Sequence, residues 1–299
     1  MRHDSAMVRT RPFAQVDVFS SAAPCSGNPV AVVVDAVGVD AGLMGAFTDW
    51  TNLSEATFML PAEHPEADYR LRIFCPGREL PFAGHPTLGS AHAWLEAGGV
   101  PHGEVIVQEC GAGLVRIRRE GDSLFLAAPE LNRGGPLPED DIERLTSGLG
   151  LTRDDIVATS WCDNGPAWRG VLLASSETVA QVRPNTAVLG DWEVGVIGPR
   201  TDATPAATAL DDQADPGDWL FDVRAFFPAR GAVAEDPATG SLNAALAQWL
   251  IPAGLAPAAY VARQGTAVGA DARIVVRSDG ADVWVGGATR TIIEGVVAL

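Results

Sequence analysis

The chain has 299 residues, 47% of them hydrophobic and 20% charged, which suits two ordinary domains or one large one and places it among soluble globular proteins. Its net charge of -17 argues against a nucleic-acid surface or an anionic membrane as partner, while a small anionic ligand in a locally positive pocket stays open. Four cysteines, Cys25, Cys75, Cys110 and Cys162, have no CxxC spacing, so they read as free thiols of a reducing cytoplasm rather than as a zinc or redox site.

The polar, arginine-bearing start, Met1 to Pro12, lacks the apolar run of a signal peptide and reads as a short disordered lead-in. Ala14 to Ser20 alternates like a strand, and Val30 to Val34 is a continuous apolar run; the turn formers Pro24 to Pro29 separate them. Asp40 suits an N-cap for a helix with Leu43, Met44, Phe47 and Trp50 on one face. Asn52-Leu53-Ser54-Glu55 ends that helix, and strands follow at Ala56 to Leu60 and Tyr69 to Phe74. Pro86 to Leu95 and Pro237 to Leu255 contain no charged residue, so each predicts a helix buried on all sides. Both are too short and too interrupted by polar residues and proline to span a bilayer. Strands are expected at Glu104–Val107, Leu114–Arg118 and Leu124–Ala127 after the first helix. After the second they are expected at Tyr260–Ala262, Arg273–Val276 and Val283–Val285. Asn132 to Asp155 reads as the boundary between halves, and Pro199 to Asp218 as a long surface loop.

The chain repeats itself. Arg72-x-Phe74-x-Pro76-x-Arg78 precedes His85-Pro86-Thr87-Leu88-Gly89-Ser90, and Arg224-x-Phe226-x-Pro228-x-Arg230 precedes Asp236-Pro237-Ala238-Thr239-Gly240-Ser241. Each copy reads as strand, polar loop, Pro and small-residue helix, so two related halves each offer a helix N-terminus suited to a small anion. His85 and Asp236 fall at matched places before a Pro, a residue favoured at the first helical position, and put one acid/base-capable group at each helix start. A loop histidine and a plain N-cap are the competing readings. Ser90 and Ser241, with Gly89 and Gly240, either keep the first turn open to a ligand or pack closely on strands. His92 and Asn243 read as satisfied core polar groups. The four arginines of the repeat either balance a substrate carboxylate or form ion pairs. Gln264 is a substrate-side amide or part of an ordinary turn. Glu55, among Leu53, Phe58 and Leu60, is either a carboxylate raised in pKa by apolar surroundings or a strand-edge glutamate in water. No counterpart of Glu55 is legible in the second half. Phosphate-binding glycine fingerprints, metal-ligand spacings and a GxSxG elbow are missing.

These residues resemble the PhzF-like family of phenazine-biosynthesis isomerases, similar in fold to diaminopimelate epimerase. The resemblance spans nearly the whole chain. It is carried by Phe13 to Phe19 with Ser26-Gly27-Asn28-Pro29, by Asn52 to Phe58, by Arg78 to Thr87 and by Glu235 to Ser241. It implies an α+β fold of two pseudo-symmetric halves, each a curled, mostly antiparallel sheet around a central helix. The expected halves are 10–130 and 131–285, with 286–299 a last strand able to cross back to the first half. The resemblance implies Glu55 as proton shuttle, with His85 and Asp236 as further catalytic groups. Gly84, Gly240, Ser241, Asn28 and Gln264 would bind substrate in a cleft between halves. It also implies no metal, no cofactor and a homodimer acting on a small carboxylated metabolite, with no nucleic-acid or membrane partner.

Where the epimerase relatives carry catalytic thiols, this chain has Ala83 and Asp236, which disfavours a two-thiol racemase. The run Val268 to Arg273 departs from the family pattern and leaves the substrate open. The expected reaction is a cofactor-independent shift of a proton and double bond, in secondary metabolism. The alternatives are a two-base racemase or epimerase, a non-catalytic binding protein on the same fold, or a thiol activity through Cys75 or Cys162.

Overall fold

The computed structural model describes residues 8–203, 218–229 and 231–299; the lead-in before residue 8, residues 204–217 of the expected loop, and Arg230 of the repeat lie outside them. The chain divides into two compact units. The first takes the described residues up to Val18, then Pro29–Leu124 and Thr289–Leu299; the second takes Phe19–Asn28 and Phe125–Ala288.

The first unit is built from β1 (Thr10–Val18), β2 (Asn28–Val33), α1 (Ala41–Thr51), β3 (Ala56–Leu60), β4 (Tyr69–Cys75), β5 (Arg78–Leu80), α2 (Gly84–Glu96), β6 (Ile106–Cys110), β7 (Gly113–Glu120) and β8 (Ser123–Ala127), whose end passes Leu124. β2 runs parallel to β3, β3 antiparallel to β4, β4 antiparallel to β5 and parallel to β6, and β6 antiparallel to β7. Asp40 caps α1 by accepting from Leu43 N at 3.0 Å, and Asn52 ends it in the left-handed conformation at φ 59. The inward face of α1 is Met44, Phe47 and Thr48, whereas Leu43 and Trp50, expected inside, are 38% and 82% exposed. They stand seven residues apart on the helix flank, turned away from the core by the 3.6-residue period. With Phe47 and Val297–Leu299 they line an apolar groove of about 490 Å³. Phe13, Phe47, Phe58 and Phe74 form an edge-to-face chain at 6.3, 6.0 and 5.6 Å through this core. α2 lies close on β1 and β2 because Gly89 has no side chain: a Cβ there would stand 2.4 Å from Val30 Cγ1 and 3.0 Å from Val18 Cγ2.

The second unit repeats this plan after an extra β9 (Arg133–Gly135) and α3 (Glu139–Leu149). It continues with β10 (Ile156–Asp163), β11 (Ala167–Leu173), α4 (Ser176–Gln181), α5 (Thr186–Leu189), β12 (Val194–Pro199), β13 (Phe221–Ala229), β14 (Ala232–Asp236), α6 (Gly240–Leu250), β15 (Ala259–Gln264), β16 (Ala272–Ser278) and β17 (Val283–Ala298). β11 runs parallel to β12, β12 antiparallel to β13, β13 antiparallel to β14 and parallel to β15, and β15 antiparallel to β16. That is the pairing scheme of β2 to β7. From Thr289 onward β17 belongs to the first unit, where it pairs antiparallel with β1. Val283–Val285 and the last segment are therefore one strand.

α3 was hidden in the stretch read as a boundary. Its first-turn acids Glu139, Asp140 and Asp141 look like a loop cluster, yet they complement the positive end of a helix that buries Ile142, Leu145 and Leu149 and stops at left-handed Gly150. Beside it runs a ladder of alternating guanidinium and indole groups, Arg133, Trp161, Arg169, Trp192 and Arg144, with contacts of 3.7 to 4.4 Å.

The two hairpins fix how the repeat aligns. Phe74 faces Glu79 and Phe226 faces Glu235; Arg72 pairs with Glu79 at 2.7 and 2.6 Å, and Arg224 with Glu235 at 3.0 and 2.7 Å. The repeat arginines in these pairs are thus structural. Beyond this rung the first hairpin adds only Cys75–Arg78, while the second adds three further pairs out to Ala229–Ala232. From each Glu an equal stretch leads to a helix, α2 at Gly84 and α6 at Gly240. His85 therefore corresponds to Ser241, each second in its helix, and Asp236 ends a strand. The expected pairing of His85 with Asp236, with Pro at the first helical position, is corrected by the longer second hairpin.

Candidate active site

In the first unit, the left-handed Asn52 turns the chain out of α1 and delivers Glu55 to the residue just before β3, where its carbonyl accepts from Ala31 N at 3.4 Å. Glu55 Oε2 lies 3.3 Å from His85 Nε2, with the two side chains 17% and 9% exposed. His85 sits in the first turn of α2 and its ring also bonds the Pro29 carbonyl. Burial outweighs that bond and pushes the imidazole down to about 3, so at neutral pH it is uncharged. The contact thus sets a carboxyl group against a neutral imidazole, two groups of the acid/base kind, in a buried place. Gly84 opens the helix, Ala83 supplies no side-chain cap, and no acidic residue occupies the first turn. The positive end of α2 beside His85 is left without a carboxylate of its own in that turn.

Ser90 and Gly89 belong to packing rather than to an open first turn. Ser90 Oγ donates to Thr57 Oγ1 at 2.8 Å, and Thr57 Oγ1 in turn donates to the Ala31 carbonyl at 3.3 Å. His92 is satisfied, with ring nitrogens 2.9 and 3.2 Å from the hydroxyls of Thr289 and Thr291, but it is half-buried rather than in the core.

In the second unit the centre is Asp236. Asn28 Nδ2 donates to its Oδ1 at 3.0 Å, the Thr239 hydroxyl donates to its Oδ2, and Gln264 Nε2 donates to its carbonyl at 3.0 Å. The residue is half-buried, yet protein crowds its carboxyl group. Burial raises that group to about 6, the Thr239 and Asn28 hydrogen bonds pull against it, and neighbouring Glu235 adds to the rise. Asn28 and Gln264, expected to touch substrate, are 0% and 1% exposed. Gln264 spends both amide hydrogens on Asp236 and Thr239, and its oxygen accepts from Thr239 N and Asn243 Nδ2. It has no capacity left for a ligand. Both residues brace Asp236 and the start of α6. Asn243 is buried as expected and donates to the Thr239 carbonyl at 2.9 Å, but among the described residues its Oδ1 accepts no hydrogen bond, so it is only partly the satisfied polar group expected.

Gly240 opens α6 after an N-cap, Thr239, that makes no side-chain capping bond, and its first turn holds no acidic residue. Ser241, next in that turn, is held by the β10–β11 hairpin. Asn164 Nδ2 donates to its carbonyl at 2.9 Å and Trp168 Nε1 to its hydroxyl at 3.2 Å. Sequence reading missed both partners, which lie more than 70 residues away with no motif to tie them.

It also missed the counterpart of Glu55. Arg169 N donates to the Glu193 carbonyl at 2.9 Å and pairs with Val194, as Ala31 does with Glu55 and Ala56. Glu193 thus stands where Glu55 stands, but its Oε2 takes the Ala167 N–H at 2.5 Å. Of the thiols, Cys162 is buried and pushed up to about 12, which leaves it a poor nucleophile. Ala83, an N-cap, corresponds by hairpin register to Thr239 rather than to Asp236. Among the described residues no helix is long and apolar enough to cross a membrane, and no group of His, Cys, Asp and Glu side chains is gathered as for a metal ion.

Comparison with known proteins agrees with this architecture. The chain is 33% identical over 304 residues to Antisense-enhancing sequence 1 of Schizosaccharomyces pombe, covering 95% of this chain and 97% of that protein. It is 33% identical over 237 residues to trans-2,3-dihydro-3-hydroxyanthranilate isomerase of Pseudomonas chlororaphis, covering 78% of this chain and 77% of that one. A crystal structure of a phenazine biosynthesis protein of the PhzF family from Enterococcus faecalis superposes with a TM-score of 0.76 at 24% identity, over 97% of this chain and 100% of the other. The α+β, epimerase-like fold expected from sequence holds. With a match to the phenazine biosynthesis-like protein model over residues 16–295, the chain belongs to the PhzC-PhzF family, a family of isomerases.

Proposed function

We propose that this protein is a cofactor-independent isomerase that moves a proton, and with it a double bond, in a small carboxylated, cyclic or amino-acid-like metabolite of secondary metabolism. The observation that carries this reading is the buried Glu55–His85 contact at the start of α2. Glu55 takes a proton from a carbon of the substrate, breaking the C–H bond as the double bond shifts. It then returns a proton to a second carbon. Neutral His85 stands against the carboxyl group and positions it. The charge that develops on the substrate meets backbone N–H groups at Gly84 and Gly240, and Ser241 binds the carboxylate. Asp236, poised near 6, is a second acid/base group in the same reaction. The reading carries with it a cytoplasmic homodimer, which light scattering of the purified protein tests for assembly.

The likeness to the Pseudomonas chlororaphis isomerase makes a dihydro-hydroxyanthranilate the first compound to try. The experiment is a mass-spectrometric screen of small carboxylic acids in heavy water. Deuterium uptake with double-bond movement, lost in Glu55→Gln, is the expected result. Absence of uptake across a broad panel refutes the reading. Because Asp236 titrates near 6, a two-base racemase is the second reading. Exchange at a stereocentre without double-bond movement would select it.

A further inference from the structure

The duplicated scaffold places two different side chains at one position. In the first unit the second residue of the central helix is His85, beside a carboxylate; in the second it is Ser241. A serine hydroxyl has one hydrogen to donate and two lone pairs to accept with. Within a helix such a hydroxyl commonly turns back and gives its hydrogen to a carbonyl of the preceding turn. Ser241 does not do this. Trp168 is 4% exposed and its indole N–H, which is donor only, points at Ser241 Oγ from 3.2 Å. An acceptor lone pair of the hydroxyl is thereby occupied, and among the described residues its hydrogen goes to no acceptor.

Asn164, 9% exposed and on the same hairpin, fixes the other end of the residue by donating to its carbonyl at 2.9 Å. One hairpin therefore grips Ser241 at its carbonyl and its hydroxyl while the residue stays partly accessible. Ser90 shows the opposite polarity, since its hydrogen is consumed by Thr57 inside the core.

We infer that Trp168 is a positioning residue: its indole N–H fixes the Ser241 hydroxyl as a hydrogen-bond donor aimed at the substrate's carboxylate, with Asn164 holding the backbone beneath it. This rests on the substrate reading proposed above and adds to it a residue that no contact with the substrate would reveal. A hydroxyl already oriented to donate loses no rotational freedom when the carboxylate arrives, and a charge-assisted bond is stronger than a neutral one. The indole also polarises the hydroxyl, because donation to Oγ makes its hydrogen a better donor.

The test is a double-mutant cycle on Trp168→Phe and Ser241→Ala, read by steady-state deuterium exchange with the carboxylated substrate found in the screen. Trp168→Phe keeps an aromatic ring in the core and removes the N–H together with part of the indole, so unfolding in urea is measured beside it to separate lost packing from the lost donor. Ser241→Ala is expected to raise KM about tenfold or more, the scale of a lost hydrogen bond to a charged group. Trp168→Phe is expected to raise KM several-fold with kcat little changed, and to have no further effect once Ser241 is alanine. The amide analogue of the substrate should be insensitive to both changes. An unchanged KM in folded Trp168→Phe overturns the inference and leaves the isomerase reading standing. Additive effects of the two variants, or a fall in kcat alone, also overturn it, because they mark a packing role. If the wild type exchanges deuterium with no carboxylic acid, the isomerase reading falls and takes this inference with it.

Discussion

Thr239→Val tests whether Asp236 is held near 6 by a balance of opposed effects. The substitution keeps the volume of the side chain and deletes the hydroxyl that donates to Asp236 Oδ2. Thr239 makes no side-chain capping bond, so α6 loses no cap. Burial raises Asp236 from an ordinary 3.8 to about 6, and the Thr239 bond is the first of the two that oppose it. Removing a hydrogen bond to a charged group costs the ionised form roughly 1.5–3 kcal/mol, or about 1–2 pH units. The Asp236 titration should therefore move up to about 7–8. Carbon-13 NMR of the labelled carboxyl carbons reads this without a substrate. With one, the same shift appears in the limb of kcat/KM against pH that Asp236→Asn removes. If Asp236 works as the anion, activity in the variant is lost at a higher pH on acidification. The stability sign follows from the raised pKa. The contribution of Asp236 is fully present below 3.8 and is lost as pH rises through about 6, and Thr239→Val carries that loss to higher pH. A titration that stays put or moves down in a folded variant refutes the balance described here.

Three further outcomes are expected. Gly89→Ala should destabilise the protein by about 1–3 kcal/mol in urea unfolding, since the new Cβ meets fully buried Val30 and Val18; a gain of the usual helical Gly→Ala size would contradict the packing. Arg224→Met should cost about 3–5 kcal/mol, because it strands Glu235, whose side chain is 10% exposed, without its bidentate partner; a neutral result would show that the β13–β14 pair is dispensable. A thiol reagent on the native protein should modify exposed Cys25 rapidly and buried Cys162 only on unfolding, which peptide mapping of the labelled protein can follow; fast modification of native Cys162 would contradict its burial.

The sequence made the repeat, the class of fold and most strands legible because they rest on local patterns. Alternation marks β1 and β4, charge-free runs mark α2 and α6, and Asp40 marks the start of α1. What failed needed information that pattern does not carry. The face of α1 was misjudged because Leu43 and Trp50 are apolar yet point to a surface groove. α3 was missed because an acidic first turn looks the same in a loop and at a helix start. Matching His85 to Asp236 followed the shared Pro, while the hairpin rungs that set the true register are long-range hydrogen bonds. The partners of Ser241 were out of reach for the same reason. Glu55 and His85 were each legible as candidates; that they stand 3.3 Å apart was not.

The corrected register alters what the duplication means. Under the motif alignment, the two halves seemed to differ in the acid/base group before each helix, His85 against Asp236. By hairpin register the compared pairs are His85 with Ser241 and Glu55 with Glu193. In the first unit the glutamate before the strand lies 3.3 Å from the helix's second residue. In the second the glutamate accepts the Ala167 N–H, and the helix's second residue accepts hydrogen bonds from Trp168 and Asn164. One backbone plan thus supports two different sets of partners, because the plan fixes only where a side chain starts. The neighbouring strands decide what that side chain meets. Asp236 lies outside this correspondence, on a strand end whose counterpart in the first hairpin is Leu80, and it is there that the second unit gains an ionisable group the first never had. If His85 and Ser241 were interchangeable remnants of the duplication, exchanging them would leave activity in place. On the proposed roles the expected outcome is instead that His85→Ser lowers kcat by removing the ring set against Glu55, and that Ser241→His raises KM by replacing the hydroxyl that Trp168 meets.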